Sequence, residues 1–347
     1  MNDLNTIFSM LKDLHQEELH VVSQRILAQL HNTESRDQQV ATSEIVCRKC
    51  GDRGCVSKYG MTANGKQRYR CKHCGTVFTS TSYSALSHTH CSVDKWEKYI
   101  VLMLQGASLA KCAEACEISV PTAFKWRHKI MAVLQHDQKN RMLNGIVETD
   151  DMFVSVSYKG NHKKSKRFTM PRKPHKRGND TKVQAYGKVC ILCATERGGQ
   201  SYGEVMGIGA VSQPMLEYAF KDRIGNDSVV VADKAYSIKS YFDKTPLELV
   251  QVASHVGKQG TPPQIKGSFH IQNVNNMHNR IRRFLRPYNG VSSKYLNHYI
   301  NLFVWIENHK KNNQNSRDLS IDEYIRRQDT YVRNADIVSL PPIRVVA

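Results

Sequence analysis

The sequence has no apolar run approaching the roughly 18 residues of a membrane span, so no spanning helix is expected. The N-terminus lacks the basic, apolar, small-residue pattern of a secretory signal. Secretion is therefore not expected, and the ten cysteines read as metal ligands and reduced core thiols rather than as a disulfide framework. No internal repeat is visible. The scarcest resource is negative charge: 31 Asp and Glu stand against 50 Lys and Arg, a formal net charge of +19. Such a field favours a polyanion, and nucleic acid is the expected partner.

At 347 residues the chain is long enough for two or three folded units. Residues 1–44 read as a helical segment and a polar linker, with Leu4, Ile7, Phe8, Leu11 and Leu14 at helical spacing. Residues 45–80 form a Cys-rich module, and residues 92–137 carry a helical pattern. From 145 to 312, strand patterns at 146–157, 183–195, 200–210, 228–232 and 248–253 alternate with helical ones at 213–222, 235–242 and 272–311. Residues 313–347 read as a C-terminal tail, and 159–182 as a long basic loop. The expected fold class is multidomain α+β, ending in an α/β domain around a mixed sheet.

Cys47-x-x-Cys50 and Cys71-x-x-Cys74 are two knuckles separated by twenty residues. Four thiolates suit tetrahedral, structural zinc, and the spacing is that of a zinc ribbon. Cys55 is a spare thiol inside the loop. Between the knuckles, Lys66, Arg68 and Arg70 flank Tyr69 on an expected hairpin suited to phosphate contact. Cys190 and Cys193 repeat the spacing inside an apolar strand, so they face opposite ways and read as core thiols.

Residues 108–116, 117–120 and 121–131 fit a helix, a turn and a second helix, with Pro121 in the second helix's first turn. Lys125, Arg127 and Lys129 on that second helix are expected to face a DNA major groove.

Two carboxylates end apolar strand-like runs: Asp150 after Ile146-Val147-Glu148-Thr149, and Asp233 after Val229-Val230-Val231-Ala232. A buried carboxylate is costly without a cation, and two brought together repel unless a divalent metal relieves them. Strand alternation puts Glu148 and Asp150 on one face and Asp151 on the other. The polar cluster 272–278 heads a helix bearing Arg280, Arg282, Arg283 and Arg286, and Asn275 in it offers a neutral oxygen to a metal; helix capping is the competing role for these asparagines.

The chain resembles bacterial insertion-sequence transposases that carry an N-terminal zinc ribbon and helix-turn-helix before an RNase H-like DDE-type domain, in the branch where Asn replaces the third acid. The resemblance spans about residues 45–305. It rests on 67–75, 122–129, 147–151, Pro171-Arg172-Lys173 with Lys176-Arg177-Gly178, 233–236, and 272–275 through His278, Arg280, 289–291 and 294–296. It implies a catalytic set of Asp150, Asp233 and Asn275, with two Mg²⁺ ions bridged by Asp150 and flanked by Asp233 and Asn275. The family's basic residue seven positions after the third ligand, usually Lys, is Arg282 here, and Asp151 stands where Glu is common. Strand cleavage at the element ends, then transfer of the 3′-hydroxyl into target DNA, is the implied reaction. The ribbon and helix-turn-helix would read the terminal inverted repeats, while the basic loop with Arg172, Lys173, Lys176 and Arg177, together with Arg280, Arg282 and Arg286, would hold backbone phosphate. A homo-oligomer on DNA, a dimer or larger, and a nucleoid-associated cytoplasmic location are expected. The rival readings are a DNA-binding regulator without chemistry and an RNase H-like nuclease that cuts without joining.

Overall fold

The computed structural model describes residues 45–47, 49–63, 65–139, 141–160, 188–252, 267–310, 321, 325, 327 and 330–346. The expected N-terminal helix and the basic residues Arg172, Lys173, Lys176 and Arg177 lie outside these. The chain divides into two compact units, Met1–Ser82 and Tyr83–Ala347.

In the first unit, β1 (Val56–Met61), β2 (Gln67–Cys71) and β3 (Val77–Thr79) form an antiparallel sheet in that order. The knuckles sit where a ribbon needs them: Cys71 closes β2 and pairs with Val56 across the ladder.

The second unit begins with four helices: α1 (Val93–Leu104), α2 (Leu109–Ala115), α3 (Val120–Val133) and α4 (Gln135–Lys139). Their boundaries follow the chain's own signals. Ser108 accepts from the Lys111 N–H and Ser119 from the Thr122 N–H, capping α2 and α3, and Pro121 lies in α3's first turn. Glu117, at φ +52°, makes the left-handed turn between them.

A five-stranded sheet follows in the order β6-β5-β4-β7-β8. Its strands are β4 (Ile146–Ser155), β5 (Lys188–Glu196), β6 (Ser201–Ile208), β7 (Val229–Ala232) and β8 (Glu248–Gln251). The β4–β5 and β5–β6 pairs are antiparallel, and β7 joins β4 in parallel, as β8 joins β7. This is the RNase H-like arrangement, a mixed sheet with β4 at its centre. One face packs on α5 (Gln213–Phe220) and α6 (Tyr236–Phe242) through Val147, Cys190, Leu192 and Val230. The other packs on α7 (Gln272–Leu285) and α8 (Leu296–Asn308) through Met152, Ile191, Cys193 and Val231. Cys190 and Cys193 therefore face opposite ways, each in a core.

The helical pattern at 272–311 is two helices. Pro287 cannot continue α7, and Asn289 and Gly290 take left-handed conformations, so the chain turns before α8. Every residue from Leu296 to Trp305 in α8 is buried. A helix buried all round must be covered on two sides, and its buried polar residues Asn297 and Asn301 are hydrogen-bonded there. Ile300, Phe303 and Val304 face the sheet, while Tyr299, Leu302 and Trp305 join Trp96, Tyr99, Trp126 and Ile130 of α1 and α3. Trp96 and Trp126 stack there with centroids 3.9 Å apart. The helical segment is thus not a separate domain; it shares one unit with the sheet. The expected tail is also part of the fold. Ile321 and Ile325 are fully buried in the helical core, α9 (Asn334–Ser339) follows, and the Val346 N–H donates to the Met206 carbonyl at 2.7 Å.

Candidate active site

β4 and β7 run in parallel register, with Thr149 beside Ala232, so Asp150 and Asp233 emerge side by side at the sheet's centre. Asp233 turns the chain out of β7, its Oδ1 accepting from the Ala235 N–H at 3.0 Å. Burial, reinforced by Asp151 and Asp233, pushes the Asp150 carboxyl up to about 7. Asp151 is raised as well, chiefly by burial; it lies on the opposite strand face, where the Cys190 thiol donates to it at 3.8 Å. Among the described residues, no cation stands within 4 Å of Asp150 except the His278 ring, whose Nδ1 is 3.9 Å from Asp150 Oδ2. Burial holds that imidazole down to about 4, so it is neutral near pH 7 and does not compensate the carboxylate.

Helix α7 supplies the third side. Val274, Met277 and Ile281 seat it on the sheet, and His278 brings it to Asp150. Three and four residues apart are neighbours on a helix, so Asn275 and Arg282 share the side of α7 that carries His278. Both are exposed. Asn276, about 160° around the helix from His278, points elsewhere. Asp150 and Asp233 thus share one opening, and Asn275 and Arg282 lie on the flank of α7 that carries His278 to Asp150. His278 and Glu148 belong to this neighbourhood and were not expected as site residues. Glu148 is fully buried and accepts from the Asn273 and Val274 N–H groups that begin α7. The readable signal for Glu148 was a charge inside an apolar strand, on the face that carries Asp150.

Several expected DNA contacts do not stand free. Arg127 is 3% exposed: its guanidinium donates to the Ala107 carbonyl at 2.7 Å and to Cys112 Sγ at 3.5 Å, and its Nε is buried without a partner. Lys129 is 8% exposed and donates to the Ala85 carbonyl at 3.2 Å. These two cations cannot reach a groove because both sides of α3 are covered, by α1 and by α8. Arg280 is committed to Glu307 of α8 at 2.8 Å, away from the carboxylates. Lys125 and Arg286 remain exposed. A cavity of about 1000 Å³ opens between the helical segment and α8, lined by Phe124, Arg127, His128, Tyr295 and Tyr299, but neither Asp150 nor Asp233 borders it.

In the first unit, ligand atoms of Cys47, Cys50, Cys71 and Cys74 all lie within 4.8 Å of one another. Cys47 Sγ is 3.5 Å from Cys74 Sγ, and Cys50 Sγ is 3.7 Å from Cys71 Sγ. Tetrahedral Zn–S bonds of about 2.3 Å imply sulfur separations of roughly 3.8 Å, so the donor set fits zinc. Cys55 Sγ also approaches Cys71, at 3.7 Å. On the hairpin, the guanidinium groups of Arg68 and Arg70 lie over the Tyr59 ring at 5.6 and 5.4 Å, and Tyr59 is 44% exposed. Lys66 is half-buried at the turn.

The sheet order defines an RNase H-like domain, with the two carboxylates side by side on its central strands. Residues 142–308 match the family described as ISXO2-like transposase domain. That stretch of the second unit, the sheet with its helices, is thus similar to the transposase domains of insertion sequences. A protein of Halobacterium salinarum described as "Uncharacterized protein in transposable element ISH50" is 23% identical over 241 residues, 68% of this chain and 77% of the relative. Among solved structures, a pre-cleavage Mos1 transpososome matches at 13% identity, covering 66% of this chain and 78% of that one, with a TM-score of 0.20. A Mos1 strand transfer complex matches at 13% identity and the same coverage, with a TM-score of 0.21.

Proposed function

We propose that this transposase nicks DNA at the ends of its element and joins the freed 3′-hydroxyl to target DNA, using divalent magnesium at Asp150, Asp233 and Asn275. The observation that carries the reading is the pair of adjacent carboxylates with no compensating cation among the described residues. An uncompensated, half-buried acid pair is costly, and a site that keeps one is suited to a dication. Magnesium, when bound, supplies the positive charge that activates an attacking oxygen and stabilises a leaving one.

The chain's own residues divide the remaining work. Asp150, in the middle of β4, and Asp233, just past the end of β7, give charged oxygens from a rigid sheet. Asn275 gives a neutral one, so the site holds less negative charge than a three-acid set. Arg282 reaches the same opening from one turn beyond His278 and is placed to hold a phosphate of the strand being cut. The neutral His278 packs behind Asp150 and keeps bulk water off that side. Zinc at Cys47, Cys50, Cys71 and Cys74 holds the ribbon together, and Arg68, Arg70 and Lys66, with Tyr59, are its DNA-facing groups. Lys125 and Arg286 extend the phosphate contacts, as do Arg172, Lys173, Lys176 and Arg177 of the basic loop. Assembly on paired ends, as a dimer or larger, and action on nucleoid DNA belong to the same reading.

The test uses DNA carrying the inverted repeats that flank the coding sequence. Incubation with the chain and Mg²⁺ should give nicked ends and joined products. Nicking without joining would make it a nuclease, and binding without nicking a regulator.

A further inference from the structure

We propose that Glu148 is the positioning residue that sets the register of α7 against β4 and so fixes Asn275 beside Asp150. The inference rests on the metal site proposed above and deepens it.

The first N–H groups of a helix have no partner inside the helix. At α7 no side chain caps them locally, the N-cap position being Ile271. Glu148 does so from across the core. Its Oε2 accepts from the Asn273 N–H at 2.8 Å and the Val274 N–H at 3.3 Å, and its Oε1 from Asn273 Nδ2 at 2.7 Å. A carboxylate is also the charge that a helix N-terminus favours. Arg197, which follows β5, donates to Glu148 Oε1 at 3.0 Å and to the Ser268 carbonyl at 2.8 Å, tying down the segment that leads into α7. His270 Nδ1 stands 3.3 Å from the same carboxylate.

The spacing makes this more than a cap. Glu148 and Asp150 are two residues apart on one face of β4, about 6.6 Å along the strand. Val274 and His278 are four residues apart on α7, about 6 Å along the helix. Helix and strand therefore run in step: Val274 meets Glu148, and His278 meets Asp150 at 3.9 Å. Asn275 stands between the two attachments, about 60° around the helix from His278. A neutral amide attracts a cation less than a carboxylate does, so its contribution depends on being held in place beforehand.

The buried cost also argues for such a role. Glu148 is fully buried, and a Ser or Asp at the helix's own N-cap would satisfy the same donors without burying a charge. Glu148 keeps the cap on the strand that carries Asp150, so α7 cannot shift against β4 without breaking the cap, and Asn275 is held in register with Asp150.

The test compares Glu148→Gln and Glu148→Ala with Glu204→Gln in the full chain. Glu204 is the matched control: a buried sheet glutamate paired with Arg344, on edge strand β6. The readouts are Mn²⁺ affinity by calorimetry without DNA, the Mg²⁺ concentration for half-maximal end cleavage, and the thermal melt. We expect Glu148→Gln to weaken Mn²⁺ affinity roughly tenfold and Glu148→Ala further, with end binding kept. Glu204→Gln should lower the melting temperature and leave Mn²⁺ affinity unchanged. If the Glu148 variants fail to fold, Asn273→Ala carries the test, since that exposed residue donates to Glu148 from the helix side. Unchanged Mn²⁺ affinity in the folded variants, or an equal loss in Glu204→Gln, would overturn the proposal. Asp150→Ala separates the two readings: if it too binds Mn²⁺ normally, the metal site itself is misplaced.

Discussion

Two charged clusters in the second unit have opposite fates. On α3, Arg127 and Lys129 are buried and spend their hydrogen bonds on backbone carbonyls at 107 and 85. At the centre of the sheet, Asp150 is half-buried, with 17% of its side chain exposed, and among the described residues only a neutral histidine stands within 4 Å as a potential cation. In the sequence both look like DNA machinery. The structure separates them by what each charge touches. Charges satisfied inside the fold hold it together, and charges left uncompensated in an enclosed place await a ligand.

The largest expected effect is at the sheet. Asp150→Ala and Asp233→Ala should each remove end cleavage by orders of magnitude while end binding stays near wild type, measured by nicking and gel-shift assays on one DNA. Asn275→Ala should lose less, because a neutral ligand contributes less, and Asn275→Asp should retain activity at lower Mg²⁺ demand. Asn276→Ala is the control. If it inactivates and Asn275→Ala does not, α7 is out of register by one.

The comparison sharpens at Arg127. Arg127→Ala should destabilise the fold by about 3 kcal/mol in urea melts, because it empties a buried site and orphans its partners. It should leave the salt dependence of DNA binding unchanged in the folded fraction. A stable variant with a reduced salt slope would return Arg127 to the DNA interface.

pH should pull the two clusters in opposite directions. Asp150 has a folded value of about 7, above the usual carboxylate value, so its contribution is favourable in acid and is lost as pH rises from about 4 to 7. Metal-free Asp150→Asn should therefore be more stable than wild type at pH 8, by about 1–3 kcal/mol, with the difference vanishing near pH 4. His128 and His298 share a proton-poor contact at 3.0 Å between α3 and α8, and burial pushes them down to about 2 and about 4. Their contribution is complete above about 6.5 and lost as pH falls toward 4, at up to about 1.4 kcal/mol per unit for each. His298→Asn should flatten that acid limb, a smaller effect read from the same melts.

Much of the site was legible because strands carry it. Alternation along 146–154 put Asp150 and Asp151 on opposite faces, and the β-branched run before Asp233 gave its strand end. The helices were less legible. A row of cations on α3 does not tell which side is covered, and the cover comes from α8, more than 160 residues later. Leu296–Trp305 is buried all round in the structure, but Asn297, His298 and Asn301 break its apolar pattern in the sequence, so the two-sided packing does not show there. The partners of Glu148 and Arg280 lie on other elements, at separations no periodicity registers.

The central proposal is that Asp150, with no paired cation among the described residues, exchanges a proton for a metal. The direct measurement is calorimetry of Mn²⁺ binding at pH 6.5 in buffers of different ionisation enthalpy. The account predicts release of more than half a proton per chain for wild type, given a folded value of about 7. It predicts weak binding and no proton release for Asp150→Asn. Tight Mn²⁺ binding by Asp150→Asn, with the same proton release as wild type, would contradict it.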